Sequence, residues 1–392
     1  MSVQTPLGST TGGRAWAEID LGAVRHNVAL LAARAAPASL CAVVKANGYG
    51  HGAEPVAEAA LDAGASRLAV ACVEEGIALR QAALNVPVLL LSEPPVDAMD
   101  EVVAFNLTPT VYTEEGIGAL VRAVGRRSAG AGTAPGAATP TVYPVHLKVD
   151  TGMHRVGAAP AETVRLALAV FQQPGLALEG LWTHLAVADA PADPFTALQA
   201  ERFQAVADEL AAHGVRPPLL HVSNSAGTLA HPACRYDLVR CGIALYGVPP
   251  SPALQGTADL QPALSLRSRV SYAREVAPGD GISYGLRYRP DRPSHVVTVP
   301  IGYADGVPWR LGVTGGEVLI GGRRRPIAGS VTMDQILVDC ADDIHVGPED
   351  EVVLLGRQES EEITAWEWAE RIGTIAYEVV CGIGPRVRRL YR

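Results

Sequence analysis

The chain has 392 residues, enough for two or three domains and far above the size at which a fold needs disulfide or metal staples. Apolar residues make up 48% and charged ones 19%, which excludes an intrinsically disordered chain. A net charge of −9, from 32 basic and 41 acidic residues, argues against nucleic acid or an anionic membrane as partner and leaves small-molecule chemistry as the expectation.

Residues 1–14 read as a flexible N-terminus, and residues 21–35 (LGAVRHNVALLAARA) carry apolar positions at helical spacing. Residues 39–44 form a strand-length apolar run. The alternation then repeats: helix-like AEPVAEAALDAG before strand-like RLAVAC (67–72), EEGIALRQAAL before VPVLLL (86–91), and TPTV before TEEGIGALVRAV. Further strands are predicted at 143–149, 176–182, 219–222 and 236–240, with ETVRLALAVFQ and the long ERFQAVADELAAHG helix between them. About eight strand and helix repeats over some 250 residues predict a closed α/β barrel of the TIM type over 15–252, with an open doubly wound sheet as the alternative. Residues 128–141 (SAGAGTAPGAATPT) read as a mobile low-complexity surface insertion.

A Pro-rich connector, PPSPALQGTADLQP, ends the barrel pattern. Beyond it, SLRSRVSYAREV, SHVVTVPIGYADG, GEVLIGG, QILVDC and DEVVLLG are short β-branched strands broken by Gly and Asp, followed by one helix, ITAWEWAERIG, opening near Thr364. Residues 253–392 are therefore expected to be a mostly antiparallel β domain.

The six cysteines are scattered without a Cys-x-x-Cys pair or a His cluster, so neither a metal site nor a disulfide framework is predicted. No basic leader with an apolar run opens the chain, and no long uncharged apolar stretch follows, so a cytoplasmic protein is expected. One count stands out. Of the 32 basic residues only Lys45 and Lys148 are lysines. Lysine, unlike arginine, can shed its proton and act as a nucleophile or base.

Lys45 follows a predicted strand and Lys148 lies where one closes, the end of an α/β barrel that carries chemistry. Lys45 lies in AVVKANGYGHG, and Lys148, Asp150 and Arg155 in HLKVDTGMHRVG. His184 ends LWTH, Asn224 and Ser225 follow LLHV, and Arg240 and Gly242 end DLVRCG. Surface polarity would scatter over both barrel ends, whereas this clustering points to one site.

These segments, together with THLAVAD, HVSNSAGT, ISYGLRY, IGYADG, TMDQ and TIAYEVVCGIG in this order, resemble the motif series of the alanine racemase family from about residue 15 to the C-terminus. The resemblance implies a pyridoxal 5'-phosphate enzyme: a cofactor-binding barrel with a C-terminal β domain, working as a homodimer with shared active sites. It implies interconversion of L- and D-alanine, supplying D-alanine for peptidoglycan. By motif match, Lys45 is the Schiff-base lysine and the base on one face of Cα. Tyr284, from the partner subunit, serves the other face. A phenol ionises only near about pH 10, so a hydrogen-bonded neighbour must assist it, and His184 matches that neighbour. Arg240 matches the donor to the pyridine nitrogen; a guanidinium keeps its proton there, which favours return of the proton to Cα over transamination. The phosphate set corresponds to Tyr49, Ser225, Gly242, Ile243 and Tyr377. Arg155 and the backbone of Met333 match the substrate-carboxylate contacts, and Lys148 matches a lysine often carbamylated in the family.

Gly48, Thr332 and the 384–386 segment depart from the family's commoner residues, which bears on substrate breadth more than on reaction class. The competing readings are a serine or broad-specificity racemase, a pyridoxal-phosphate decarboxylase of basic amino acids, a non-catalytic cofactor-binding protein and a class I aldolase. Arg240 argues against the decarboxylase, and the extra β domain carrying Tyr284 against the non-catalytic protein. The aldolase needs the lysine but no pyridoxal phosphate, so colour in the purified protein separates it from the rest.

Overall fold

The computed structural model describes residues 13–128 and 142–392. Residues 129–141 of the low-complexity segment expected to be an insertion, and most of the expected flexible N-terminus, lie outside the described residues, while Ser128 ends a helix. The chain divides into two compact units: Gly22–Gln261, and Pro262–Arg392 joined by the described residues up to Leu21.

The first unit is a barrel of eight parallel strands. They are β2 (Ser39–Val43), β3 (Arg67–Val70), β4 (Val88–Leu90), β5 (Thr110–Val111), β6 (Tyr143–Lys148), β7 (Leu176–Trp182), β8 (Leu219–His221) and β9 (Leu238–Cys241), numbered after β1 (Ala15–Ile19) of the other unit. Two four-stranded parallel sheets, β4-β3-β2-β9 and β5-β6-β7-β8, form its wall. A parallel bridge between Leu89 and Thr108 joins them on one side. On the other, Asp237 N–H donates to the Leu220 carbonyl at 3.0 Å and Arg240 N–H to the Ser223 carbonyl at 3.0 Å, which closes the ring. β2, β4 and β9 are buried along almost their whole length, as parallel strands covered on both faces must be. Helices such as Ala53–Asp62, Glu114–Ser128 and Pro160–Phe171 present one apolar face to that wall.

The second unit is mostly antiparallel. Its larger sheet runs β14 (Arg323–Pro326), β13 (Glu317–Ile320), β16 (Glu351–Gln358), β10 (Leu264–Arg269), β1 and β18 (Arg388–Tyr391), with β17 (Glu361–Ile363) beside β16. A three-stranded sheet follows the order β11 (Tyr272–Val276), β12 (Ser294–Val299), β15 (Ile336–Asp339). Ile282, Val296 and Ala328 form a small core there, with Val276, Tyr288 and Leu337 packed on it.

Three expectations need correction. The barrel does not begin at residue 15: β1 alternates buried and half-buried residues, pairs antiparallel with β10 (Ala17 opposite Leu266) and parallel with β18, and so belongs to the β unit. SLRSRVSYAREV is two strands rather than one. Val270 N–H donates to Asp350 while the next N–H, on Ser271, donates to Thr298, so the chain changes sheets between those two residues. A second helix, Ala376–Cys381, follows the expected one over Ala365–Ile372, whose N-cap Thr364 accepts from Glu367 N–H.

Candidate active site

Each barrel strand ends in a loop, and the residues singled out in the first unit meet over these loops. Lys45 follows β2, and the residues after it take an unusual path: Ala46, Asn47, Gly48 and Tyr49 have φ of 52°, 50°, 62° and 51°. This left-handed turn brings the Tyr49 hydroxyl against the backbone of Gly242, where a Cβ would fall 2.3 Å from it. Any side chain at 242 would therefore displace the Tyr49 phenol. The Gly242 N–H donates to Ser225 Oγ at 2.9 Å, and Ala244 N–H reaches the same oxygen at 3.4 Å. Asn224 caps the short helix Ser225–Ala230 by accepting from Gly227 N–H. Ile243 opens the single turn of helix that follows Gly242. Tyr49, Ser225, Gly242 and Ile243 thus lie together, offering hydroxyls and the N–H groups of a helix start.

Arg240, next to last in β9, is buried, 3% exposed. Its Nη1 donates to His221 Nδ1 at 2.8 Å and to the His221 carbonyl at 3.1 Å. Its Nη2 donates to the carbonyls of Thr183 and Val222 and approaches His184 Nδ1 at 3.4 Å. These contacts take up both terminal nitrogens and leave Nε–H as the guanidinium donor they do not use. Burial pushes the Arg240 guanidinium down to about 10, still protonated at neutral pH.

Behind Arg240 lies a polar chain absent from the sequence reading. His221 Nε2 and His146 Nδ1 are 2.9 Å apart, His146 Nε2 lies 2.9 Å from Glu179 Oε2, and Arg67 donates to that oxygen at 3.1 Å. Burial holds both imidazoles below their ordinary range, His221 well below it. Neutral rings fix the donors: His146 Nε2–H to Glu179, His221 Nε2–H to His146 Nδ1, and Arg240 to His221 Nδ1. Burial alone would raise Glu179, but the bonds from His146 and Arg67 hold it down to about 2. One signal could have revealed this chain: His146 shares the strand face of Lys148 two residues on, a polar side chain inside an otherwise apolar strand.

Lys148 is 2% exposed, with its Nζ 4.5 Å from the centre of the Trp182 ring. Burial first, then the charges of Arg155, Arg240 and Lys45, push its amine down to about 7. His184 is lowered well below its ordinary value by burial and then by Arg240, Arg155, Lys148 and Lys45. The mutual repulsion locates Lys45, Lys148, Arg155, His184 and Arg240 around one spot. With Nδ1 facing Arg240, neutral His184 carries its proton on Nε2. Gln199, fully buried on the helix Phe195–Ala212, fixes the backbone here: it donates to the His184 carbonyl at 3.0 Å and accepts from Ala186 N–H at 2.8 Å.

The remaining predicted residues lie in the second unit. Tyr284 is 77% exposed and Met333 53% exposed. Ser283 donates to the Ser330 carbonyl at 2.7 Å and Ser330 to the Tyr284 carbonyl at 3.0 Å, which ties the Tyr284 turn to the segment leading to Met333. The Met333 carbonyl accepts from Ala304 N–H. Tyr377 lies half-buried on the helix Ala376–Cys381. Among the described residues no group of His, Cys, Asp and Glu could hold a metal ion, and no helix is long and apolar enough to cross a membrane.

Comparison with known proteins gives the same picture from sequence and from structure. Residues 19–250 match the alanine racemase N-terminal domain family and residues 263–391 the alanine racemase C-terminal domain family. An alanine racemase from Symbiobacterium thermophilum is 46% identical, covering 96% of each chain. One from Halothermothrix orenii is 41% identical, again covering 96% of both. The crystal structure of the enzyme from D-cycloserine producing Streptomyces lavendulae superposes with a TM-score of 0.89 at 39% identity, covering 97% of this chain and 98% of that one.

Proposed function

The chain belongs to the alanine racemase family and is an isomerase; from that premise we propose that it interconverts L- and D-alanine with pyridoxal 5'-phosphate, using Lys45 and Tyr284 of the partner subunit as its two bases. The donor chemistry at the barrel mouth fits this cofactor. Arg240 keeps an unused Nε–H for a pyridine nitrogen, and Tyr49, Ser225, Gly242 and Ile243 supply hydroxyls and close backbone N–H groups for a phosphate. Lys45 is half-buried and stands among cations of which Lys148 and Arg240 are buried. Tyr377 is proposed as a further phosphate contact.

When bound, pyridoxal phosphate supplies an electron sink that makes a Cα proton removable near neutral pH. Arg240 donates without surrendering its proton, because a guanidinium that loses it only near about 10 remains a cation. That restrains the sink and favours reprotonation at Cα. Lys45 Nζ takes or returns the proton on one face. The Oη of Tyr284 of the partner subunit does so on the other, with the neutral His184 donating from Nε2 to stabilise the oxygen when it is anionic. Arg155 holds the substrate carboxylate, assisted by the backbone of Met333 of the partner subunit. Lys148, with its amine pushed down to about 7, is partly unprotonated at neutral pH, the form that adds carbon dioxide with release of a proton to solvent; a carbamate there would carry a negative charge beside Arg155.

The observation carrying this reading is the convergence of two lysines, two arginines and a neutral histidine at one end of a barrel, in a family whose relatives are alanine racemases. A homodimer follows as a proposal. The second unit exposes Tyr284, Met333, Leu286, Tyr303 and Trp309, linked by the Ser330 bonds, by Tyr303 N–H donating to Thr332, and by Arg287 lying 5.6 Å from the Trp309 ring; a second copy would cover such a patch. The test is chiral chromatography of L-alanine and L-serine incubated with the protein. Racemisation of alanine without loss of amino acid, at a higher kcat/KM than for serine, supports the proposal. Equal or preferred turnover of serine favours the broad-specificity alternative.

A further inference from the structure

The turn after Lys45 costs free energy that something must offset. Left-handed backbone is disfavoured for L-residues, which normally visit it singly. Here Ala46, Asn47 and Tyr49 adopt it in one run, with Gly48 among them. Glycine at 48 relieves one position, and a Cβ there would lie 3.2 Å from Ala53 N. Downstream the turn is secured by Gly50 N–H donating to the Ala46 carbonyl at 3.0 Å, Gly52 N–H to the Asn47 carbonyl at 2.8 Å, and Ala53 N–H to Asn47 Oδ1 at 3.0 Å. At its start, beside Lys45, the hold is different. Glu75, half-buried in the first turn of the helix Val73–Gln81, accepts from Ala46 N–H with Oε1 at 2.6 Å and from Ala71 N–H with Oε2 at 2.8 Å. Ala46 and Ala71 follow the neighbouring parallel strands β2 and β3, so one carboxylate staples the ends of both.

We propose that Glu75 is the positioning residue for Lys45: its carboxylate pins the N–H of the residue after the lysine, locks the left-handed turn, and so fixes how the ε-amine is presented to the cofactor aldehyde. This rests on the reading of Lys45 as the cofactor lysine. A carboxylate suits the task because it accepts two N–H groups at once through charge-assisted bonds. A glutamine of the same shape offers one accepting oxygen and turns its NH₂ toward the other N–H. Released from the staple, Ala46 relaxes toward negative φ, and the lysine beside it loses its fixed bearing.

The test uses the holoenzyme and reads retention of pyridoxal phosphate rather than turnover. Glu75→Gln and Glu75→Ala are each diluted and the loss of the cofactor's visible absorbance is followed. Release is expected to quicken about tenfold, and adding Ala46→Gly, which removes the left-handed penalty, is expected to restore it to within about threefold of wild type. A helix-start carboxylate with no bearing on Lys45 would lower thermal stability, yet Ala46→Gly would not rescue retention. Unchanged release in both Glu75 variants, or faster release that Ala46→Gly leaves uncorrected, overturns the inference. Lys45→Ala runs beside them. If that variant keeps its colour, the reading of Lys45 falls and the inference with it; if it is colourless while the Glu75 variants release normally, the inference alone falls.

Discussion

The two units prepare their residues in opposite ways. In the barrel, Lys148 and Arg240 are buried, His184 is driven neutral, and a chain from Arg240 through His221 and His146 to Glu179 consumes hydrogen-bonding groups far behind the strand ends. In the β unit, Tyr284 and Met333 stand exposed, the turn of Tyr284 tied to Ser330 by two serine hydroxyls and the Met333 carbonyl held by Ala304 N–H. Protein-lined cavities make charges expensive and so tune their protonation, whereas water levels such differences. A barrel mouth can therefore be organised within one chain, but a phenol displayed to solvent becomes a controlled base only when another surface encloses it. On the proposed reading, half of the catalytic pair would be prebuilt and half completed by association.

That contrast can be broken at several points. The largest effect is expected for Lys45→Ala, which should lose cofactor colour and racemisation together, by about 10⁴-fold or more in kcat, as read by absorbance and chiral assay. Tyr284→Phe should separate the two: colour retained, kcat down about 10²- to 10⁴-fold. Full activity in that variant would remove the phenol from the mechanism. Gly242→Ala places a methyl 2.3 Å from the Tyr49 hydroxyl, and cofactor affinity, measured by equilibrium dialysis, should fall about tenfold because the phenol must move.

The smallest effect concerns Lys148. Its folded-state value, about 7, lies below the ordinary 10.5, so between those limits the unfolded chain binds more protons and stability rises with pH across that window. Urea midpoints should climb from about pH 7 to pH 9, and Lys148→Met should flatten the climb. A carbamate would suppress the titration altogether, so bicarbonate added to a sample depleted of carbon dioxide should flatten it as well and raise activity severalfold.

Much of the barrel was legible because its signal is local: apolar strands such as LALEGLW and amphipathic helices alternate, and the polar residues after each strand announce one working end. The β unit was less so. β1 reads as the natural opening of a barrel, yet its partners are β10, more than 240 residues away, and β18 at the C-terminus, pairings that no local pattern encodes. The break at Val270 and Ser271 is invisible for the same reason, since either residue suits a strand. In the site, Lys45 and Lys148 stood out by rarity, whereas Glu75, Glu179, His146, His221 and Gln199 are ordinary residue types whose roles arise from what they face. The left-handed run after Lys45 was likewise hidden, because Ala46 and Tyr49 carry no mark of positive φ.

The central claim, that the site is shared between protomers, meets its most direct test in mixing Lys45→Ala with Tyr284→Phe. Each is expected to be inactive alone. If the phenol comes from the neighbour, half of randomly exchanged dimers are mixed and each has one intact site, so activity should return to about a quarter of wild type. Mixtures as inactive as the two parents, under conditions where subunit exchange is verified, would contradict the account.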